Sequence, residues 1–246
     1  MANTTLVLVP GLMCDHAVWS GVMAHLGSKA EGAVVPDHGL CDDIEGMAQK
    51  ILASVPGLLA VAGHSMGGRV ALEMRRLAPQ RVRHLALLDT GYLARPLGAE
   101  GEAEAAKRQT LLDVALNQGV EAMARTWAQG MVHPSRLTDI GLMDAIVAMF
   151  ARRKPQHFAA QIRALLARPD ASQTLQSTAG LVYLLCGAQD SWSPVSQHQA
   201  MAKLLPQAVL SVIESAGHMA PMEQPAAVAQ LLAEWLTSTP LVSEQV

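Results

Sequence analysis

Apolar residues follow two patterns along this chain, and the change between them is abrupt. Short, unbroken apolar runs lie at Thr5–Val9, Leu58–Ala62, His84–Leu88, Leu181–Gly187 and Val209–Ile213, with a briefer one at Ala33–Pro36. Runs of that length, rich in Val and Leu and closed by Gly, Pro, Ser or Asp, predict strands buried on both faces. Helical stretches separate them. Asp15 is placed to cap a helix from about His16 to Leu26, and Met47, Ile51 and Val55 share one face of a helix over Ile44–Val55. Alternation of this kind predicts a doubly wound, mostly parallel sheet of about six strands with helices on both faces.

From residue 95 to residue 178 the strand pattern disappears and only helical periodicity remains. Val120, Met123, Trp127 and Met131 fall on one face, as do Leu142, Ile146, Met149 and Phe150, and then Phe158, Ile162 and Leu165. Breaks are expected at Gln118-Gly119, Pro134 and Pro155. The domain reading is therefore a core made of residues 1–94 and 179–246, interrupted by a helical insertion over 95–178.

The chemistry-bearing residues sit at strand ends. The run Leu58–Ala62 leads into Gly63-His64-Ser65-Met66-Gly67-Gly68, and a helix-like stretch follows at once. A strand-to-helix turn that sharp needs Gly on both sides of its apex, because neighbouring backbone would meet any Cβ there. The apex residue, Ser65, is then exposed at the strand tip above a helix N-terminus, where a serine nucleophile and backbone donors to an oxyanion belong. Such a serine needs an imidazole to take its proton and a carboxylate to orient that imidazole. Asp190 follows the run ending at Gly187, and His218 follows the run ending at Ile213. In a parallel sheet all three lie along the carboxyl edge.

These residues together resemble the α/β-hydrolase family along nearly the whole chain. The matching segments are Val9-Pro10-Gly11-Leu12, Gly63-His64-Ser65-Met66-Gly67-Gly68, Gly187-Ala188-Gln189-Asp190 with Pro194, and Gly217-His218 followed by Glu223-Gln224-Pro225. The resemblance implies an α/β-hydrolase fold with Ser65 as nucleophile, Asp190 as acid and His218 as base. It also implies an oxyanion hole from the backbone N–H groups of Leu12 and Met66, although Pro10-Gly11 stands where many relatives have His-Gly. Asp89, at the end of the run His84–Leu88, is the alternative acid, because some relatives carry theirs after that strand. The insertion resembles the family's helical cap. Trp127, Met131 and Phe150 are its candidate pocket residues, and Arg125, Arg152 and Arg163 its candidate anchors for a substrate carboxylate.

The resemblance implies a serine hydrolase acting on a small or medium carboxylic ester, thioester or lactone. Two other readings stand beside it. Ser65-Met66-Gly67-Gly68-Arg69 is similar to members that eliminate pyruvate in menaquinone synthesis, which suggests a lyase or carbon–carbon hydrolase using the same triad as base. A non-catalytic ligand receptor on the same fold is the third.

Composition narrows the partners. Half of the 246 residues are hydrophobic, and the formal net charge of −3 gives no electrostatic case for nucleic acid. Three cysteines without a pairing pattern suit a reducing compartment. The nine histidines show no metal-ligand spacing, and the reading calls for neither metal nor cofactor. Leu6–Val9 is too short for a signal or membrane segment, so the expectation is a cytoplasmic protein, monomer or homodimer, meeting a small molecule and no membrane.

Overall fold

The computed structural model describes residues 4–238. Its strands are β1 (Thr4–Val9), β2 (Leu58–His64), β3 (Val82–Leu88), β4 (Val182–Gly187) and β5 (Val209–Ile213). Its α-helices are α1 (Ala17–Leu26), α2 (Ile44–Ser54), α3 (Met66–Leu77), α4 (Ala99–Gln118), α5 (Val120–Trp127), α6 (Ile140–Ala151), α7 (Pro155–Leu166), α8 (Ser172–Ser177), α9 (Val195–Leu204), α10 (Ala220–Glu223) and α11 (Pro225–Leu236). The five strands pair in parallel and in chain order. This is an α/β-hydrolase fold in which the central strands are apolar because helices cover them on both sides. All of β4 is buried, whereas β5, at the sheet edge, is partly exposed.

The run at Ala33–Pro36 does not form a full strand. Val34 makes one parallel bridge to Val7, with Val34 N–H donating to Leu6 O and Leu8 N–H to Val34 O, both at 2.9 Å. Gly32, at φ +73°, swings the chain in. Pro36 brings no N–H for the ladder to continue.

That bridge nevertheless sets the topology. The chain steps from β1 outward to Val34, then returns across β1 to β2, and every later connection steps the same way. Right-handed crossovers then put α1 on one face and α2, α3, α8 and α9 on the other. The packing agrees: α2 lies on α3, α3 on α8, α8 on α9, and α11 returns to lie on α1. Connections leave β1 and β2 toward opposite faces, which opens a crevice at their carboxyl ends.

Between β3 and β4 every regular element is helical. Gly119, at φ +93°, separates α4 from α5; Pro134 opens a single 3₁₀ turn; and Pro155 starts α7, where a missing N–H costs nothing. Asp43 and Asp139 accept from the N–H groups of Gly46 and Leu142 and so cap α2 and α6. Helix α4 is the polar one, burying only Gly101 and Ala115. No helix among the described residues is long and apolar enough to cross a membrane.

Candidate active site

Ser65 stands at the tip of β2 with φ +56° and ψ −120°, a region that L residues rarely enter. The turn is held from both ends. Ser65 N–H donates to Leu88 O at 2.9 Å, and Thr90 Oγ1 donates to Ser65 O at 2.6 Å. A Cβ on Gly63 would collide with the Gly67 carbonyl, and one on Gly67 with the carbonyls of Val9 and Pro10. Both glycines are steric requirements of the turn.

Three side chains meet here in one hydrogen-bonded series. Ser65 Oγ lies 2.8 Å from His218 Nε2, and His218 Nδ1 lies 2.8 Å from Asp190 Oδ2. The other Asp190 oxygen accepts from the N–H groups of Trp192 (2.8 Å) and Ser193 (3.0 Å). Burial works against the Asp190 charge, but the His218 ring and these donors hold its carboxyl below the ordinary value. Glu223 steadies the His218 loop, accepting from Gly217 N–H at 2.8 Å and from His133 N–H, in the insertion, at 2.6 Å.

Asp89 is close by and different in kind. It is wholly buried; one oxygen accepts from Gly187 N–H at 2.8 Å and the other has no partner. Burial first, and the Asp190 charge second, push its carboxyl well above the ordinary value. It makes no bond to His218. Its nearest imidazole is His64, at 3.9 Å, a ring that burial and then the His218 charge push down to about 3. Neutral His64 donates its Nε2–H to His218 O at 2.7 Å.

A cavity of about 660 Å³ opens from Ser65 and His218. Leu12, Met66, Trp127, Met131, Leu165 and Trp192 give it an apolar lining. Trp192 stacks on Trp127 with centroids 5.7 Å apart and lies 5.0 Å from the His218 ring. The lining also carries charge, with Arg69, Lys107, Arg108 and Arg168 beside Glu100 and Glu104. Arg168 grips both Glu104 oxygens at 2.7 and 2.8 Å, and Arg108 shares one of them at 2.8 Å. Burial opposes the Glu104 charge, yet these bonds hold its carboxyl down to about 2. Arg69, one helical turn beyond Ser65, is bound by Leu93 O at 2.8 Å and, among the described residues, by no carboxylate. Burial, with Arg168 second, lowers it to about 9, so it stays cationic at neutral pH.

A profile of the alpha/beta hydrolase family matches residues 6–231. The chain belongs to that family. It is an esterase-like member. A pimeloyl-[acyl-carrier protein] methyl ester esterase of Aromatoleum aromaticum is 26% identical over 94% of this chain and 98% of its own. A putative 2-succinyl-6-hydroxy-2,4-cyclohexadiene-1-carboxylate synthase of Bacillus subtilis is 27% identical over 72% of this chain and 65% of its own. Among solved structures, a thermophilic esterase from Thermogutta terrifontis, with malate bound, superposes with a TM-score of 0.81 at 25% identity, covering 95% of this chain and 89% of that one.

Ser65, Asp190 and His218 thus converge in this hydrolase, and Leu12 and Met66 border the same cavity. Trp127 and Met131 line it as well. Phe150 does not: it is fully buried behind Trp127, at 5.2 Å between centroids. None of the three candidate anchors reaches the cavity. Arg125 pairs on the surface with Glu121 and Asp144, Arg152 with Asp15, and Arg163 with Asp42. Each of them is paired with a carboxylate outside the cavity lining. The arginines that do face the cavity were missed because they lie on polar α4, just past α7, and on α3, where no apolar stripe marks them. Only Arg69 carried a signal, its place four residues after Ser65. Cys14 and Cys186 are buried thiols pushed up to about 12, by burial first and neighbouring aspartates second. Among the described residues no group of three His, Cys, Asp or Glu side chains is placed to hold a metal ion.

Proposed function

We propose that this protein is a serine carboxylic-ester hydrolase for small substrates carrying an anionic group, with residues 95–178 as its cap. The observation that carries the reading is the Ser65–His218–Asp190 series, each link 2.8 Å, opening directly into a cavity. His218 Nε2 takes the Ser65 proton as Oγ attacks the ester carbonyl. Asp190, ionised and held by two backbone donors, steadies the imidazolium and fixes its orientation. The N–H groups of Leu12 and Met66 receive the tetrahedral oxyanion, Met66 at the positive end of α3. His218 returns the proton to the departing alcohol, then draws one from water so that the acyl group leaves Ser65.

The substrate class follows from the charged lining. Glu104 is shared between Arg108 and Arg168, so Arg69 is left to pair with what enters. A guanidinium partly out of water binds a carboxylate or phosphate strongly and in a fixed orientation. The same residue supports a second reading, a lyase whose substrate bears a carboxylate. The Bacillus subtilis relative is named as a synthase of one such acid.

The test is labelling with a fluorophosphonate, followed by intact mass, beside turnover of neutral and carboxylate-bearing p-nitrophenyl esters. Wild type should take up one label and hydrolyse the anionic esters faster, and Ser65→Ala should do neither. Labelling without ester turnover would favour the lyase reading; turnover retained by Ser65→Ala would overturn both.

A further inference from the structure

We propose that Gln161, in the cap, is a positioning residue for the oxyanion hole, so that the hole is complete only while the cap is seated. The inference rests on the reading of Leu12 N–H as an oxyanion donor.

Residues 11–14 form a tight turn. Cys14 N–H donates to Gly11 O at 3.1 Å, and Met13, its third residue, sits at φ +63°. A positive φ there marks the type II form, which an L residue enters only against steric resistance. The turn controls Leu12. In a trans peptide the N–H of Leu12 points opposite to the Gly11 carbonyl. Because that carbonyl is held inward by Cys14, the Leu12 N–H is aimed outward.

What holds Met13 in its strained conformation comes from 148 residues away. Met13 N–H donates to Gln161 Oε1 at 2.8 Å, and Gln161 Nε2 donates to Gly39 O at 3.2 Å. Gln161 is 1% exposed, and the Met13 side chain is wholly buried. Without that amide the Met13 N–H would be left buried and unpaired, a penalty that the turn can escape only by rearranging. The next two residues are tied to the cap as well. Cys14 O accepts from Arg153 Nη2 at 3.1 Å, and the Asp15 carboxylate receives Arg152 through two bonds of 2.7 and 2.9 Å. Three consecutive residues of the loop that carries the donor are therefore gripped by the insertion, two of them by their backbone. A cap that swung away would take their partners with it.

The experiment compares wild type with Gln161→Met, Gln161→Glu and Arg153→Met, using the fluorophosphonate labelling rate and ester kinetics. Gln161→Met keeps the shape and loses both hydrogen bonds. It should lower kcat and the labelling rate together by roughly ten- to a hundredfold, short of the loss of a whole oxyanion donor, with KM within about twofold and the pH profile unmoved. Gln161→Glu, whose carboxyl can still accept from Met13, should recover most of the lost rate. If Gln161→Met does not fold, Arg153→Met loosens the same turn and should lower kcat a few-fold at unchanged KM. Wild-type rates in the folded variants, or a loss confined to KM, would overturn the proposal. Absence of labelling at Ser65 in wild type would overturn the hydrolase reading on which it rests, and that is a separate result.

Discussion

The sheet edge and the helical insertion supply the two sides of one cavity, but they are built under different constraints. Along the sheet edge, position follows from connectivity: a residue just past a parallel strand must stand at the carboxyl edge. Ser65, Asp190 and His218 had no other place to go, and each bond between them is 2.8 Å. In the insertion, periodicity says which face of a helix is buried and nothing about where that face is aimed. Trp127 and Phe150 belong to neighbouring apolar stripes, yet one lines the cavity and the other lies behind it. Position at the edge is fixed by topology; position in the insertion is fixed by packing.

The sharpest way to break this comparison is at the two aspartates. Asp190→Asn should slow ester hydrolysis by about 10⁴-fold, the scale known for such a triad acid in serine proteases. Asp89→Asn should leave kcat within about threefold, because Asp89 touches no atom of His218. The reverse order would move the acid one strand over. Next in size is Arg69. Arg69→Met should lower kcat/KM for a carboxylate-bearing ester by about 10- to 100-fold, the strength of a charged hydrogen bond, and barely affect a neutral ester. Equal losses on both would remove the anionic-substrate reading.

Stability against pH separates the buried groups at the edge, and the two shifts have opposite signs. His64 is pushed down to about 3 from an ordinary 6.5, so the unfolded chain takes up a proton there that the folded one refuses. Stability is thus lost as pH falls from about 6.5 toward 3, by a few kcal/mol at most. Asp89 is raised, so its contribution is full at low pH and lost as pH rises through its folded value. Thermal melts should show His64→Gln flattening the acid side and Asp89→Asn raising Tm on the alkaline side. A melt series in which neither variant changes the slope would mean that both groups titrate normally. The smallest effects belong to the insertion's outer arginines. Arg125→Gln and Arg163→Gln, with side chains 58% and 60% exposed, should leave KM for anionic esters unchanged and Tm within about 1–2 °C. A raised KM in either would mean that the cap closes further over substrate.

The legible part of the molecule was the part written in local signals. Strand runs, the glycines flanking Ser65, and Gly119 and Pro155 as breaks each act within a few residues, and each stands where the pattern puts it. The sixth strand failed for a local reason too, since Pro36 ends its pairing after one bridge. Arg69 was visible only as the fifth residue of a motif. Gln161 had no signal at all: a lone glutamine on a helix says nothing about a backbone N–H 148 residues earlier.

The sequence by itself determined the order of the elements, the sharp turn at Ser65 and the edge on which Asp190 and His218 must lie, because parallel strands and right-handed crossovers leave little freedom. Tertiary structure alone decided which buried aspartate keeps its charge, which arginines look inward, and which distant amide holds the loop beside Leu12. Those outcomes depend on desolvation, on competition among neighbours for the same carboxylate, and on contacts between segments far apart in the chain. No local pattern encodes them.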